Sequence, residues 1–260
     1  MKDSYGFLIS KIDNLEKITD GNIHYVYKDI HFLHKKKPNE KNLAVIFHGA
    51  YAGKNVIFRG YDFEGYDVLS FHDKLINIYG GPFSNEKKIT LAWFQNSKKY
   101  PNLISVYTEI IGSIVKKYNN IVFQGTSGGC FSSLYYSSIF KQHCIIGNPQ
   151  IYLEKYKHYQ KLEKALELNG DKLIPNVNIH DHFKKYGYPK NILLYSNTLD
   201  LHHYNEHILP FVKKCKEDSN YVVDLRTFTL KPTNNRSAHE LNIPKGKYKD
   251  AIKKYFTNLK

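Results

Sequence analysis

The chain has 260 residues, 42% of them hydrophobic, so it can bury the core of one substantial α/β domain, and we predict a single domain over residues 1–260. Its formal net charge is +14, yet only three of its 38 basic residues are arginine and the lysines are scattered along the chain. Protein–DNA recognition favours arginine concentrated on one face, so we predict no nucleic-acid partner, although the positive field attracts anionic polymers and membrane surfaces.

Strand-like and helix-like segments alternate from about residue 22. The predicted strands are His24–Leu33, Asn42–Phe47, Asp67–Phe71, Ile89–Phe94, a run starting at Asn120, His143–Gly147, Asn191–Ser196 and Tyr221–Leu230. The predicted helices are Asn102–Tyr118, Gly129–Phe140, Tyr152–Leu168, Tyr204–Lys216 and Lys247–Leu259. This alternation predicts an α/β fold with a mainly parallel central sheet and helices on both faces. The stretch 150–189 interrupts the rhythm and is predicted to be a small cap-like insertion.

A Gly-x-Ser-x-Gly pattern, Gly125-Thr126-Ser127-Gly128-Gly129, joins one of these strands directly to a helix. A serine on so sharp a turn has a strained backbone, and glycines two positions either side avoid collisions with neighbouring main chain. The hydroxyl then lies beside a helix N-terminus, whose N–H groups can stabilise an oxyanion. The pattern in this setting predicts a nucleophilic serine at Ser127.

An activated serine needs a histidine as base, and the histidine needs an acid that fixes its tautomer. Asp200 closely follows the predicted strand Asn191–Ser196, and His239 lies in the loop after Tyr221–Leu230. The order Ser127, Asp200, His239, each after a strand, predicts a catalytic triad.

Other residues compete for these roles. Asp181 lies in the predicted cap and Asp224 within a predicted strand, which disfavours both as the acid. The competing histidines follow Asp200 too closely to fit the expected order; they are His202, His203 and His207.

An oxyanion hole needs two donors. The N–H of Gly128, directly after the serine, is the first candidate. The second is predicted in the loop after Asn42–Phe47, at Ala50 or Tyr51, where small residues let the main chain approach a substrate carbonyl.

Substrate contacts are predicted at four further residues. His48 precedes the proposed oxyanion loop, and His202 follows the acid. Arg59 and Arg236 are scarce arginines on loops placed at the same edge, where they could hold a phosphate or carboxylate bidentately. An ordinary surface ion pair explains each arginine equally well.

The remaining histidines and the cysteines suggest neither a metal nor a disulfide. His203 and His207 are four residues apart and His180-Asp181-His182 lies nearby in sequence, but no His-Glu-x-x-His pattern occurs, so we predict no metal. Three widely spaced cysteines indicate reduced core thiols, with Cys130 in packing; they are Cys130, Cys144 and Cys215.

The chain contains no apolar run typical of a signal peptide or membrane span, and we predict a cytoplasmic protein, with peripheral membrane association left open.

The arrangement resembles the α/β-hydrolase superfamily from about residue 40 onward, on His48-Gly49, the Ser127 motif, Asp200 and His239. More narrowly, Ser127-Gly128-Gly129 with Gly147-Asn148-Pro149-Gln150 resembles hydrolase-fold proteins of bacterial surface polysaccharides. The chain lacks the His-Gly-Gly-Gly run of many lipases.

Some of those relatives are capsule O-acetyltransferases, so the resemblance implies acetyl transfer through an acetyl-serine, with acetyl-CoA as the candidate donor and no permanently bound cofactor. The expected partner is an acidic glycan, since aromatic faces stack on sugars and lysines attract polyanions. Two alternatives stay open: a carboxylesterase or thioesterase acting on a small acyl ester, and a non-catalytic hydrolase-fold protein that binds an acidic polymer. The sequence predicts no oligomeric state.

Overall fold

The computed structural model describes residues 1–51, 53, 55–60, 62–79, 89–174, 178–232, 237–240 and 247–258. The chain divides into two compact units. Unit 1 comprises Met1–Ile121 and Tyr156–Asn176, and unit 2 comprises Val122–Lys155 and Val177–Lys260.

The first five described strands follow one another without an α-helix, and strands alternate with helices only from the fifth strand onward, later than the sequence predicts. The strands are β1 Leu8–Ile12, β2 Gly21–Tyr27, β3 Ile30–Lys36, β4 Asn42–Phe47, β5 Asp67–Phe71, β6 Asn120–Thr126, β7 His143–Gly147, β8 Asn191–Asn197 and β9 Asp224–Phe228. The helices are α1 Lys74–Tyr79, α2 Leu103–Val115, α3 Gly129–Phe140, α4 Lys157–Leu168, α5 Ile179–Tyr186, α6 Leu201–His203, α7 Leu209–Ser219 and α8 Lys247–Thr257. A π-helical turn, Tyr204–Ile208, joins α6 to α7. Most described strand pairs are parallel, so the predicted α/β class is confirmed.

Unit 1 orders its strands β1-β2-β3-β5-β4. The pairs β1–β2 and β4–β5 are parallel, while β2–β3 and β3–β5 are antiparallel. All five residues of β5 are buried, and so are five of the six in β4. Strands buried on both faces read as apolar runs, and β4 is one. β5 has two buried polar residues among its apolar ones, and the sequence places both strands at their observed bounds.

The single strand predicted at His24–Leu33 is wrong, because this segment belongs to a hairpin of β2 and β3. The turn residues Lys28 and Asp29 have φ of 47° and 58°. Two successive left-handed residues make the tight turn that suits the twist of a hairpin, and the usual signal is Asn-Gly, Asp-Gly or Gly-Gly. The pair Lys28-Asp29 contains no glycine, so the sequence carries little signal for the turn.

The predicted strand at Ile89–Phe94 is also wrong. The segment is apolar and almost wholly buried, but it has no strand pairing, and Trp93 and Phe94 have φ of 53° and 56°. The carboxylate of Asp73, itself buried, accepts the N–H of Phe94 at 2.9 Å. A buried loop satisfied by a side chain looks like a strand from its composition alone.

Unit 2 orders its strands β6-β7-β8-β9, all parallel. The carboxyl ends of parallel strands meet at one edge of a sheet, where α/β proteins place their sites. Ser127 directly follows β6, Gln150 follows β7, Asp200 follows β8 and His239 lies in the connection after β9. The topology of unit 2 therefore gathers these four residues at one edge.

The predicted cap segment 150–189 contains two helices, α4 in unit 1 and α5 in unit 2, of which α5 is missed by the sequence. None of the described helices is both long and apolar enough to cross a membrane. The three cysteines are buried free thiols, as their apolar surroundings suggest.

Candidate active site

Ser127 sits on a strained turn between β6 and α3. Its φ is 53°, in the left-handed region that a residue with a Cβ rarely adopts, and its N–H donates to the Gly147 carbonyl at 3.0 Å. A Cβ on Gly125 would collide with the main chain of Gly129. The glycine at this position is therefore required by the close approach of α3 to β6, which is the expected reason for the Gly-x-Ser-x-Gly pattern.

The structure brings Ser127, His239 and Asp200 together within unit 2. Ser127 Oγ lies 2.8 Å from His239 Nε2, and His239 Nδ1 lies 2.8 Å from Asp200 Oδ2. An ionised carboxylate can only accept, so His239 donates from Nδ1 and accepts the serine proton at Nε2. This is the arrangement in which an imidazole can take a proton from a hydroxyl.

The loop that carries His239 is tied to the end of β8 by one asparagine. Asn197 Nδ2 donates to the carbonyls of Leu230, at 3.0 Å, and Ala238, at 3.1 Å. The Asn197 side chain is fully buried, while Leu230 and Ala238 are half-buried. These two hydrogen bonds place His239 next to Asp200. Asp200 lies three residues after Asn197 and directly precedes α6.

Asp200 has a second histidine partner. Its Oδ1 accepts Nδ1–H of His203 at 2.8 Å, while Oδ2 faces His239. Burial raises the pKa of this carboxyl, but the two histidine hydrogen bonds outweigh burial and lower the pKa below its ordinary value of 3.8. Asp200 is therefore ionised at neutral pH and can hold both imidazoles in the Nδ1–H tautomer.

Gln150 adds a contact to the nucleophile that the triad pattern does not include. Its Nε2 donates to Ser127 Oγ at 3.0 Å, and its side chain is fully buried. The sequence singles out Gln150 only as part of a family-like motif, and His203 only as a competing base or a possible metal ligand. Their contacts depend on side-chain geometry that no spacing rule predicts.

The candidate oxyanion donors differ in their surroundings. Gly128 precedes the first turn of α3, where N–H groups have no acceptor inside the helix. In unit 1, the N–H of Tyr51 donates to the Thr90 carbonyl at 2.7 Å, which speaks against Tyr51 as a donor to substrate. Ala50 is exposed. Gly128 and Ala50 stay predictions.

The predicted substrate residues are placed as follows. His48 is buried, its Nδ1 donates to the Gly49 carbonyl at 2.6 Å and its Nε2 accepts the Asp73 N–H at 3.2 Å, which speaks against contact with substrate. Arg59 is exposed in unit 1 and His202 is exposed in unit 2, and their roles stay predictions. Arg236 lies outside the described residues.

One side-chain group in the described part of the chain has the spacing of a metal site: Asp200, His203 and His239, whose ligand atoms all lie within 4.8 Å of one another. The carboxylate already accepts a hydrogen bond from each imidazole. His207, another histidine weighed as a ligand, accepts the N–H of Tyr152 at its Nδ1, at 3.1 Å. The expectation that no metal binds stays a prediction.

No protein family matches the chain, and no curated protein matches it in sequence. Solved structures do match it. The capsule O-acetyltransferase of Neisseria meningitidis serogroup A is 16% identical, with a TM-score of 0.60 over 94% of this chain and 95% of that one.

Two hydrolases are similar as well. An esterase of Pyrococcus furiosus is 13% identical, with a TM-score of 0.52 over 97% of each chain. An S-formylglutathione hydrolase from Agrobacterium tumefaciens is 11% identical, with a TM-score of 0.53 over 89% of this chain and 90% of that one. These likenesses confirm the predicted α/β-hydrolase fold.

Proposed function

We propose that this protein is a serine-dependent acyl-transfer enzyme in which Ser127, His239 and Asp200 form the catalytic triad. The observation that carries the proposal is the continuous chain of two 2.8 Å contacts from Ser127 Oγ through His239 to Asp200. An elbow with a left-handed serine at a helix N-terminus supports it, because that turn exposes the hydroxyl beside N–H groups that can stabilise an oxyanion.

In the first half-reaction, Ser127 Oγ attacks an ester or thioester carbonyl as its proton passes to His239 Nε2. The carbonyl π electrons move to oxygen, for which the N–H group of Gly128 is the proposed donor in unit 2. The tetrahedral intermediate then expels its alkoxide or thiolate, which takes the proton from His239. In the second half-reaction, His239 takes a proton from the acceptor hydroxyl as the acceptor oxygen attacks the acyl carbon. The Oγ–C bond then breaks, its electron pair stays on Ser127 Oγ, and His239 returns the proton to that oxygen.

The molecule that accepts the acyl group determines the reaction. With water as acceptor the enzyme is an esterase, and with a sugar hydroxyl it is an O-acyltransferase. We propose O-acetyl transfer onto, or removal from, a bacterial surface polysaccharide, with acetyl-CoA as donor in the transfer direction. The fold likeness to a capsule O-acetyltransferase supports this choice. So does the net charge of +14, which attracts an acidic glycan.

A fluorophosphonate probe tests the enzyme proposal, since it reacts with activated serines. We expect one adduct, located at Ser127 by peptide mass spectrometry, in the folded protein. Ser127→Ala should abolish it and Ser113→Ala, a change in α2, should not. Absence of an adduct in folded wild-type protein would overturn the proposal and favour a non-catalytic polymer-binding protein.

The acceptor is tested by following acetyl-CoA and aryl acetates with and without acidic polysaccharides. Transfer predicts faster release of free CoA together with acetyl groups on the polymer. Turnover that is independent of every polymer tried, with free acetate as the product, would make the protein an esterase or thioesterase.

A further inference from the structure

Gln150 holds the nucleophile elbow through both its backbone and its side chain. Its backbone N–H donates to the Ser127 carbonyl at 3.2 Å, and its Nε2 donates to Ser127 Oγ at 3.0 Å. The side chain has no exposed surface. A buried amide is costly unless it is hydrogen-bonded, so its position on the reacting oxygen needs a physical reason.

The chemistry of the hydroxyl fixes which end of the amide faces it. A serine hydroxyl has one proton, and here that proton points to His239 Nε2, 2.8 Å away. Ser127 Oγ can therefore only accept from its second neighbour. Gln150 must present its N–H to this oxygen.

The loop holding Gln150 is fixed to the edge of the sheet in unit 2. Asn148 donates its N–H to the Tyr195 carbonyl at 3.0 Å, and its Oδ1 accepts the Asn197 N–H at 2.8 Å. Asn148 has a φ of 44°, which turns the chain sharply after β7. Pro149 follows and limits the backbone further. These contacts therefore orient the Gln150 side-chain amide towards Ser127 Oγ in the absence of substrate.

We propose that Gln150 is a further catalytic residue, whose side-chain N–H stabilises negative charge on Ser127 Oγ when that oxygen attacks and when it departs. This inference rests on the proposed function. During attack, the Oγ–H bond breaks towards His239 while the Oγ–C bond forms, so Oγ carries partial negative charge. When the acceptor displaces serine, the Oγ–C bond breaks, its electron pair stays on Oγ and His239 returns the proton.

A hydrogen bond to an ionised oxygen is about twice as strong as one between neutral groups. The Gln150 N–H therefore binds the transition state more tightly than the resting hydroxyl, which is the condition for an effect on rate. A neutral donor also suits the position, because a lysine there would repel the imidazolium that forms at His239. Donors to developing oxyanions are each worth about 10²–10³ in rate, and we expect about 10–100 for this bond, since Oγ carries only part of a charge.

The test compares Gln150→Met and Gln150→Glu with wild-type protein. Both variants keep a side chain of similar length and remove the amide donor. We expect the second-order rate of fluorophosphonate labelling, per folded molecule, and the hydrolysis rate of the acetyl-enzyme each to fall about 10–100-fold. Tyr221→Phe, which removes the hydrogen bond from the Tyr221 hydroxyl to the Pro189 carbonyl, is the control for a general loss of stability.

Gln150→Glu offers a readout that a structural role would not move. A protonated carboxyl can donate as the amide does, so the ratio of variant to wild-type labelling rate should rise as the pH falls. A flat ratio, or rates in both variants equal to wild type, would overturn the inference while leaving the triad in place. An unlabelled wild-type protein would instead overturn the proposed function. If Gln150→Met does not fold, the pH ratio of Gln150→Glu decides.

Discussion

The ring of His203 stacks on the ring of His239, with centroids 3.9 Å apart and planes 17° apart. Both rings donate Nδ1–H to Asp200, one to each carboxylate oxygen, at 2.8 Å. The acid of the proposed triad thus orients two parallel imidazoles. Burial lowers the pKa of His203, so this histidine is neutral when His239 acts as base. A charged His203 would oppose the imidazolium that forms beside it.

His203→Phe should shift the pH dependence of the reaction. The phenyl ring keeps a flat surface against His239 but removes the donor to Asp200, so the carboxylate attracts a protonated His239 more strongly. The acid limb of the kcat/KM profile should then move to higher pH, by up to about one unit. The measurement is the rate of aryl acetate hydrolysis from pH 5 to 9.

Four titratable groups lie around His203 among the described residues, namely His239, Asp200, His202 and His207, and the substitution leaves all four in place. Tyr221→Phe is the control, because it removes one hydrogen bond in unit 2 without changing the partners of Asp200. A profile identical to wild type in His203→Phe would show that Asp200 orients His239 unaided.

The elements of the proposed triad are predictable from the sequence because each signal is local. Gly125 and Ser127 carry their backbone requirements in adjacent residues, and β6 and β8 are recognisable from their apolar residues. β9, Asp-Leu-Arg-Thr-Phe, is mostly polar and lies within the longer predicted strand Tyr221–Leu230. Once the strands are placed, the topology of a parallel sheet brings Asp200 and His239 to the same edge. The order of Ser127, Asp200 and His239 along the chain then assigns the nucleophile, the acid and the base.

The features of the candidate site that the sequence does not predict depend on contacts between distant segments. Gln150 meets Ser127 across 23 residues of sequence, through a turn fixed by Asn148, and no local pattern signals that contact. Tyr51 is a predicted oxyanion donor, and no local pattern signals that its N–H donates to the Thr90 carbonyl. Hydrogen-bond partners of loop backbone are decided by packing, which composition and periodicity do not report.

Acid should destabilise the protein, and His207 should account for part of the loss. Burial lowers the pKa of His207 from 6.5 to about 3. Between those two values the unfolded chain binds a proton that the folded chain does not, so stability falls as pH falls through this range. This one group contributes up to about 1.4 kcal/mol per pH unit.

Urea unfolding at pH 7, 6 and 5 measures this effect. His207→Asn places an acceptor near the position of Nδ1, available to the N–H groups of Ile151 and Tyr152, and it does not titrate. The free energy of unfolding of this variant should depend less steeply on pH than that of wild type. Equal slopes would mean that His207 is protonated in the folded protein as readily as in the unfolded chain.

Gly125→Ala should damage the elbow itself. The added Cβ meets the Gly129 main chain, so α3 must move away from β6, at a cost of about 1–3 kcal/mol. Fluorophosphonate labelling should fall with it, because Ser127 lies between the two elements. Gly65→Ala is the comparison: its φ of 87° makes alanine strained, yet a Cβ there meets no atom within 4 Å. That variant should lose stability but keep its labelling rate.

The last prediction concerns the strain stored at Ser127. Its φ of 53° costs a residue with a Cβ about 1–2 kcal/mol, and glycine avoids that cost. Ser127→Gly and Ser127→Ala lose the same contacts to His239 and Gln150, so the difference between them isolates the backbone. Glycine loses more entropy on folding, by about 0.5–1 kcal/mol, and this offsets part of the gain.

We therefore expect the glycine variant to be the more stable of the two, by up to about 1 kcal/mol in urea unfolding, and both to be inactive. The matched pair is Ser113→Gly and Ser113→Ala in α2, where helical geometry gives the opposite order by about 1 kcal/mol. If glycine is the less stable variant at both positions, Ser127 is not strained. The sharp turn would then contribute nothing beyond exposing the hydroxyl.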